Sequence, residues 1–489
     1  MRLSVLFTIL LLSQFLTAQR FSESAQSEVL ADVFGSTVAF GDVDGDNDLD
    51  VLITGQNEFL QGITKLYLND GNGNYTELAD TPFQDLWASA AAFADIDNDG
   101  DSDLLFSGRR DNLDPSSVFT KLYINIGDGE FIEDARIPFA DILSTFDLAD
   151  VDGDGDLDIL LSGRSTTGFS ATKLYLNDGT GAYEELRITP FPNFGGSSTA
   201  FADVDGDGDL DVIMSGAITI LDLVTKLYIN DGMGNYTEAN ENPFTGLTLS
   251  SVAFSDIDGD NDPDVLISGY GAPGIGITNL YVNDGMGNFS KIPAPFSQMY
   301  EGDIAFSDVD GDNDEDVVLS GIFSQGGMAT ELYINDGSGT FRRVSFSTFL
   351  NVRSSDISFA DVDGDNDDDV IISGQDETFG PATKLYINER IKNPINGTEE
   401  GCQLSLTPYP NPGPSGTLNV DYNSTKQGGS LLLSIYDSKG ALISQQQQQT
   451  SAVIGLQTLE IGTKTLPPGN YIVELTHGPC KGVAKFVVF

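Results

Sequence analysis

Seven times along this chain, a nine-residue segment places an aspartate at every second position. In the first, Asp42, Asp44, Asp46, Asp48 and Asp50 alternate with Val43, Gly45, Asn47 and Leu49. The pattern returns at Asp95, Asp97, Asp99, Asp101 and Asp103, and at Asp150, Asp152, Asp154, Asp156 and Asp158. It continues at Asp203, Asp205, Asp207, Asp209 and Asp211, and at Asp256, Asp258, Asp260, Asp262 and Asp264. The last two copies are Asp308, Asp310, Asp312, Asp314 and Asp316, then Asp361, Asp363, Asp365, Asp367 and Asp369. Along a flat strand such carboxylates would repel one another severely; wrapped around a hard dication they become ligands. Calcium accepts about six to eight oxygens in irregular geometry, whereas magnesium tends to keep its waters. Position 4 of each segment is Gly or Asn (Gly45, Asn98, Gly153, Gly206, Gly259, Gly311, Gly364), and so is position 6 (Asn47, Gly100, Gly155, Gly208, Asn261, Asn313, Asn366). These residues tolerate the left-handed backbone that a chain circling an ion needs. A merely solvated acidic turn would carry mixed polar residues there.

The segments recur at spacings of 53, 55, 53, 53, 52 and 53 residues, in step with a second signature typified by Lys65-Leu66-Tyr67-Leu68-Asn69. Each unit reads as four short strands. Thr37 to Phe40 enters the aspartate loop, Val51 to Gly55 leaves it, and Lys65 to Asn69 hairpins through an Asn-Asp-Gly turn into a strand starting at Tyr75. Four strands per repeat of this length is the pattern of an all-β, seven-bladed β-propeller. The last unit stops after its third strand at Asn388, while Phe21 to Leu30 precedes the first unit and resembles a fourth strand. The expectation is that this N-terminal segment completes the final blade and closes the ring.

An EF-hand would need Glu at the twelfth position, where Ile53, Phe106, Leu161 and Met214 stand, and would be flanked by helices rather than strands. The loops instead resemble the calcium-binding hairpins of FG-GAP (VCBS) repeats, found in the integrin α-subunit propeller and in many bacterial surface proteins. The resemblance covers residues 21–390. It implies side-chain ligands at positions 1, 3, 5 and 9 and a backbone carbonyl at position 7, hence about seven calcium ions. Pro263, Glu315 and Asp368 depart from the usual Leu at position 8 without touching the ligand positions.

Residues 1–18 have the form of a secretory signal, with Arg2, an apolar run from Leu3 to Leu16, and Thr17-Ala18 ahead of the expected cut. No other stretch has the ~20 apolar residues of a membrane span. After a polar linker at 389–401, residues 402–489 read as short antiparallel strands, hence a small C-terminal β-sandwich, with the glutamines at 445–449 as a hairpin tip. The motifs Pro408-Tyr409-Pro410-Asn411-Pro412 and Leu466-Pro467-Pro468-Gly469-Asn470-Tyr471 resemble the type A sorting domain of the type IX secretion system of Bacteroidetes. That resemblance implies export by the type IX machinery, removal of the domain, and release or attachment at the outer surface. Cys402 and Cys480 are either a disulfide or two thiols.

A net charge of −52 argues against nucleic acid and anionic membranes as partners. The sole histidine, His477, and both cysteines lie in the C-terminal region, so the propeller lacks His- or Cys-based catalysis. Arg109, Arg110 and Arg164 have no recurring partner and read as solvated loop charges. The residues favour a non-catalytic adhesion or recognition module for an extracellular protein or glycan, with a structural surface-layer component as the alternative. A polysaccharide-degrading enzyme would need a non-repeating acid or base, and none stands out. Ligand contacts are expected on the loops opposite the aspartates, at 56–63, 109–119, 164–171, 217–224, 270–277, 322–329 and 375–382. Trp87, Tyr270 and Tyr300 do not recur and would suit stacking; Pro-Phe pairs such as Pro82-Phe83 and Pro190-Phe191 recur in phase and are expected to be structural.

Overall fold

The computed structural model describes residues 21–389 except 111–113, 115–116, 220–221, 273 and 345–347. Beyond these it describes 406–409, 417–424, 429–437, 442–450, 455–462, 466, 469–477 and 480–488. The expected signal segment, most of the linker and Cys402 lie outside the described residues. The chain divides into two compact units, Met1–Arg390 and Ile391–Phe489.

The first unit is a seven-bladed propeller of four-stranded antiparallel sheets. In the first blade the strands run Phe34–Gly41, Asp50–Gln56, Gly62–Asn69 and Tyr75–Glu77, in that order from the axis outwards. The second strand is a continuous apolar run because both of its faces are covered. Val51 and Ile53 pack with Ile371 and Leu385 of the seventh blade, while Leu52 packs with Leu104 and Phe106 of the second. Alternate side chains of one strand therefore serve two different interblade cores. The Phe of each Pro-Phe pair stands edge-on to the tyrosine of a third strand, as Phe83 does to Tyr123 and Phe191 to Tyr228, with ring centroids 5.0 Å apart. The inner strands are less regular than their sequence implies. A bulge shifts the register in five of them, and the sixth blade's inner strand is broken into Met299–Tyr300 and Ile304–Ser307.

The ring closes through the N-terminal segment, but with a shorter strand than expected. Phe21, Ser22 and Glu23 pair with Asn388, Ile387 and Tyr386. The extended run then ends, because the Ser24 side chain accepts from the Gln26 N–H at 3.2 Å and starts a 3-10 turn over Ala25–Glu28. Stitching to the third strand of the last blade continues beyond the turn. Leu385 N–H donates to Ser27 Oγ (3.0 Å), and Thr383 N–H donates to Asp32 Oδ1 (2.8 Å). The closing strand carries the same chemistry as an interior fourth strand. Lys384 pairs with Glu23 at 2.8 Å, as Lys226 does with Glu238 at 2.9 Å, and Phe21 meets Phe349 at 4.9 Å. In the sixth blade the charges are exchanged, Glu331 against Arg343, which marks the pair itself as the repeated feature. Across the seam, Asp356 Oδ2 accepts from Val38 N–H at 3.0 Å.

The second unit holds two antiparallel sheets. One joins Leu406–Tyr409, Thr417–Ser424 and Gly455–Gly462; the other joins Leu442–Thr450, Gly429–Asp437, Gly469–His477 and Cys480–Val488. The glutamine run is not a hairpin tip. Among the described residues Gln445 to Gln449 lie within a strand at the edge of its sheet, opposite Ser434 to Ser430.

Truncating Phe21 to Ala, which removes a buried ring at the closure, should cost about 3 kcal/mol in a denaturant titration. Deleting residues 21–31 should lower the melting temperature further and cause self-association through the bared edge at Lys384–Asn388, seen by light scattering. A monomeric deletion variant with an unchanged melt would show that the ring does not depend on this strand.

Candidate metal centres

Each aspartate segment is a tight loop between the first and second strands of a blade. All fourteen residues at positions 4 and 6 have positive φ, from 60° at Asn98 and Asn366 to 97° at Gly100. The carboxylates at positions 1 and 5 brace the turn. Asp42 Oδ1 accepts from Gly45 N–H (2.8 Å), Asp42 Oδ2 from Asn47 N–H (3.0 Å), and Asp46 Oδ1 from Asp48 N–H (3.0 Å). The position-7 side chain faces the Asn-Asp-Gly turn of its own blade. Gly71 in that turn has a φ of 71°, which favours glycine, and a Cβ there would also press on Asp48 Oδ2 at 2.5 Å.

Position 9 is where the structure adds most to the sequence reading. Asp50 and its six counterparts are fully buried, and they are engaged by backbone donors. Asp50 Oδ1 accepts from Asn69 N–H at 2.8 Å, and Oδ2 from Val43 N–H at 2.9 Å. The asparagine so gripped ends the third strand, and its side chain reaches the neighbouring blade. Asn69 Nδ2 donates to Val362 O, Asn125 to Val43 O, Asn177 to Ile96 O and Asn230 to Val151 O, at 2.8–2.9 Å. Asn283 donates to Val204 O, Asn335 to Ile257 O and Asn388 to Val309 O, completing all seven junctions at 2.8–3.0 Å. These asparagines were visible as part of the repeated signature, but their partners lie in another repeat and no local pattern points to them.

Carboxylate oxygens of positions 1, 3 and 9, or of 1, 3 and 5, lie within 4.8 Å of one another in each of five clusters, among them Asp42, Asp44 and Asp50, and Asp95, Asp97 and Asp99. At position 3, Oδ1 of Asp44, Asp97, Asp152, Asp205, Asp258 and Asp310 is enclosed and takes no hydrogen bond. An enclosed carboxylate oxygen without a donor is costly unless a cation sits against it. Oxygen-only donors on a loop of this shape fit calcium.

Burial raises the position-3 carboxyls above the usual range, and the neighbouring charges of positions 5 and 1 add to the rise. Burial also dominates at position 9, where Asp50 is pushed up to about 6 and Asp103, Asp158, Asp211, Asp264 and Asp369 to about 7, although backbone donors pull them back. In the sixth loop Val309 N–H turns to Ser307 O (2.9 Å), Asp316 Oδ2 lacks a donor, and this carboxyl is pushed furthest, to about 8. Of the unusual position-8 residues, Asp368 accepts from Ser307 Oγ of the preceding blade at 2.7 Å.

Away from the loops, Tyr270 and Tyr300 meet at 5.0 Å between ring centroids, and the Arg109 guanidinium lies 5.7 Å from the Trp87 ring. Phe59, Phe169 and Phe379 stand largely exposed in hairpins between second and third strands, on the end of the ring opposite the aspartates. Reading for aromatics that do not recur passed over these, because phenylalanine is common throughout the chain.

A model of the FG-GAP-like repeat matches residues 42–106, 150–214, 256–319 and 308–372, and one of the Secretion system C-terminal sorting domain matches 407–489. No curated protein matches the chain. Among solved structures, AofleA from Arthrobotrys oligospora is 10% identical with a TM-score of 0.38, over 68% of this chain and 91% of its own. The Aleuria aurantia lectin, a six-bladed propeller, is 8% identical with a TM-score of 0.35, over 74% and 99%. The V. cholerae biofilm matrix protein is 12% identical with a TM-score of 0.29, over 96% and 70%. Scores this low carry no functional weight.

The raised carboxyls set a direction for pH. A group whose folded pKa lies above its unfolded value near 3.8 favours the fold below that value, and the advantage is lost as pH rises through the folded pKa. Calcium-depleted protein should therefore melt progressively lower from about pH 4 to about pH 8, and saturating calcium should remove most of that fall. A melting temperature that is flat with pH in the depleted protein would contradict the burial of these groups.

Proposed function

The chain belongs to the FG-GAP-like repeat proteins and ends in a secretion-system C-terminal sorting domain, and from that premise we propose that it is a calcium-stabilised, non-catalytic recognition module working outside the cell. The sorting domain assigns it to the type IX secretion route and to a surface or extracellular location. In this reading residues 19–388 are the mature propeller, 389–401 a linker and 402–489 the export signal that is removed. Calcium, held by the carboxylates at positions 1, 3, 5 and 9 and the position-7 carbonyl of each loop, supplies the positive charge that lets five acids share one turn.

What carries the reading is the division of labour between the two ends of the ring. Aspartate loops occupy one end in every blade and are nearly identical, joined there in five blades by Asn-Asp-Gly turns. The hairpins at the other end differ from blade to blade and expose Phe59, Phe169 and Phe379 at 71, 77 and 68% of their surface. Variation gathered on one face of a repeat ring, with apolar rings left in solvent, is what a binding face requires. The absence of His and Cys from the propeller sequence supports a role without His- or Cys-based catalysis or a zinc site built on those ligands.

The test is a glycan array together with capture of extracellular proteins, using the mature exported protein in calcium. A ligand should be found whose binding falls at least about tenfold when Phe59 and Phe379 are changed to Ala. Asp205→Ala, which removes one calcium, should leave binding intact. A protein that captures neither glycan nor protein would be a structural layer component instead.

A further inference from the structure

Resting on the calcium reading, we propose that the seven asparagines ending the third strands are positioning residues that make calcium binding cooperative from one blade to the next. The connection runs through every loop but the sixth, where Val309 N–H turns to Ser307 O and not to Asp316 Oδ2. Asp264, at position 9 of the fifth loop, holds Asn283 by its N–H at 2.7 Å. Asn283 Nδ2 donates at 2.8 Å to the carbonyl of Val204, which lies between Asp203 and Asp205 in the fourth loop. Val204 N–H in turn donates to Asp211 Oδ2 at 3.0 Å, and Asp211 Oδ1 accepts from Asn230 N–H at 2.8 Å. Asn230 then reaches Val151 O in the third loop. The same relay crosses the seam between first and last blades, from Asn69 to Val362 O and from Val362 N–H to Asp369 Oδ2 at 3.1 Å. A direct contact between consecutive loops adds to it where Asn98 Nδ2 donates to Asp156 Oδ1 at 2.8 Å.

The residue type follows from the position. The Val204 carbonyl is enclosed between blades and needs an uncharged donor at short reach. Aspartate would set a carboxylate against it, and alanine would remove one of its two donors, leaving Gly287 N–H at 2.8 Å as the other. An ion that orders one loop fixes that loop's terminal carboxylate, then the asparagine it grips, then a peptide unit between two ligands of the preceding loop. The next ion finds its site already ordered. By thermodynamic reciprocity the effect runs both ways around the ring.

The experiment is a calorimetric calcium titration of calcium-depleted mature protein, with Asn283→Ala as the variant. Wild type should bind with a Hill coefficient above one. Asn283→Ala should still bind as many ions at saturation, but with one of them weakened by about tenfold, within the usual range for coupled sites. A Hill coefficient of one in the wild type overturns the proposal, and needs no variant to fold. So does an Asn283→Ala protein that melts lower yet binds every ion at wild-type affinity, since the asparagine would then only brace the blades. Should Asn283→Ala fail to fold, Asn125→Ala makes the same test at the second blade. Wild type that binds no calcium at all overturns instead the calcium reading beneath the proposal.

Discussion

Each aspartate loop ends in a fully buried carboxylate that faces hydrogen-bond donors and no cationic side chain. That carboxylate grips the end of the third strand, and the asparagine it grips holds the neighbouring blade. Strand order, blade contact and loop shape therefore meet at one residue, repeated seven times. A buried carboxylate satisfied only by N–H groups is expensive to ionise, and the rise of Asp103 to about 7 expresses that expense. On the calcium reading, a divalent ion against the enclosed position-3 oxygen would relieve it, which would make the metal and the interblade clasp parts of one device.

The same device explains how a chain of net charge −52 stays compact. Much of the negative charge is gathered into the seven aspartate loops, where on the calcium reading it would serve as ligand. A few of the remaining acids form cross-strand pairs such as Lys226–Glu238, which individually contribute about 0–1 kcal/mol at a surface. Closure uses the same parts as the interior junctions, with Asn69 on Val362, Lys384 on Glu23 and Phe21 on Phe349, so the seam is not a special joint. Cohesion of the ring then leaves the opposite hairpins free to vary.

Much of this was legible in the sequence, and the reasons differ by feature. Blade number followed from the period, and closure from a repeat split between Phe21 and Asn388. Glycine and asparagine at positions 4 and 6 pointed to left-handed backbone because few other residues tolerate it, and every one of them adopts it. Three features were not legible. The asparagine clasp joins residues about 80 positions apart in every interior junction, so nothing local marks it. The closing strand stops at Glu23 because Ser24 competes for a backbone donor, a choice settled by one hydrogen bond. The run at 445–449 forms a strand without apolar alternation, so no period-2 pattern marks it.

Amide hydrogen exchange of the mature propeller, with and without calcium, tests most directly whether ion sites and blade junctions act as one device. Adding calcium should slow exchange together at the aspartate loops and at the backbone amides of Asn69, Asn125, Asn177, Asn230, Asn283, Asn335 and Asn388. Slowing confined to the loops, with those asparagine amides unchanged, would contradict the account.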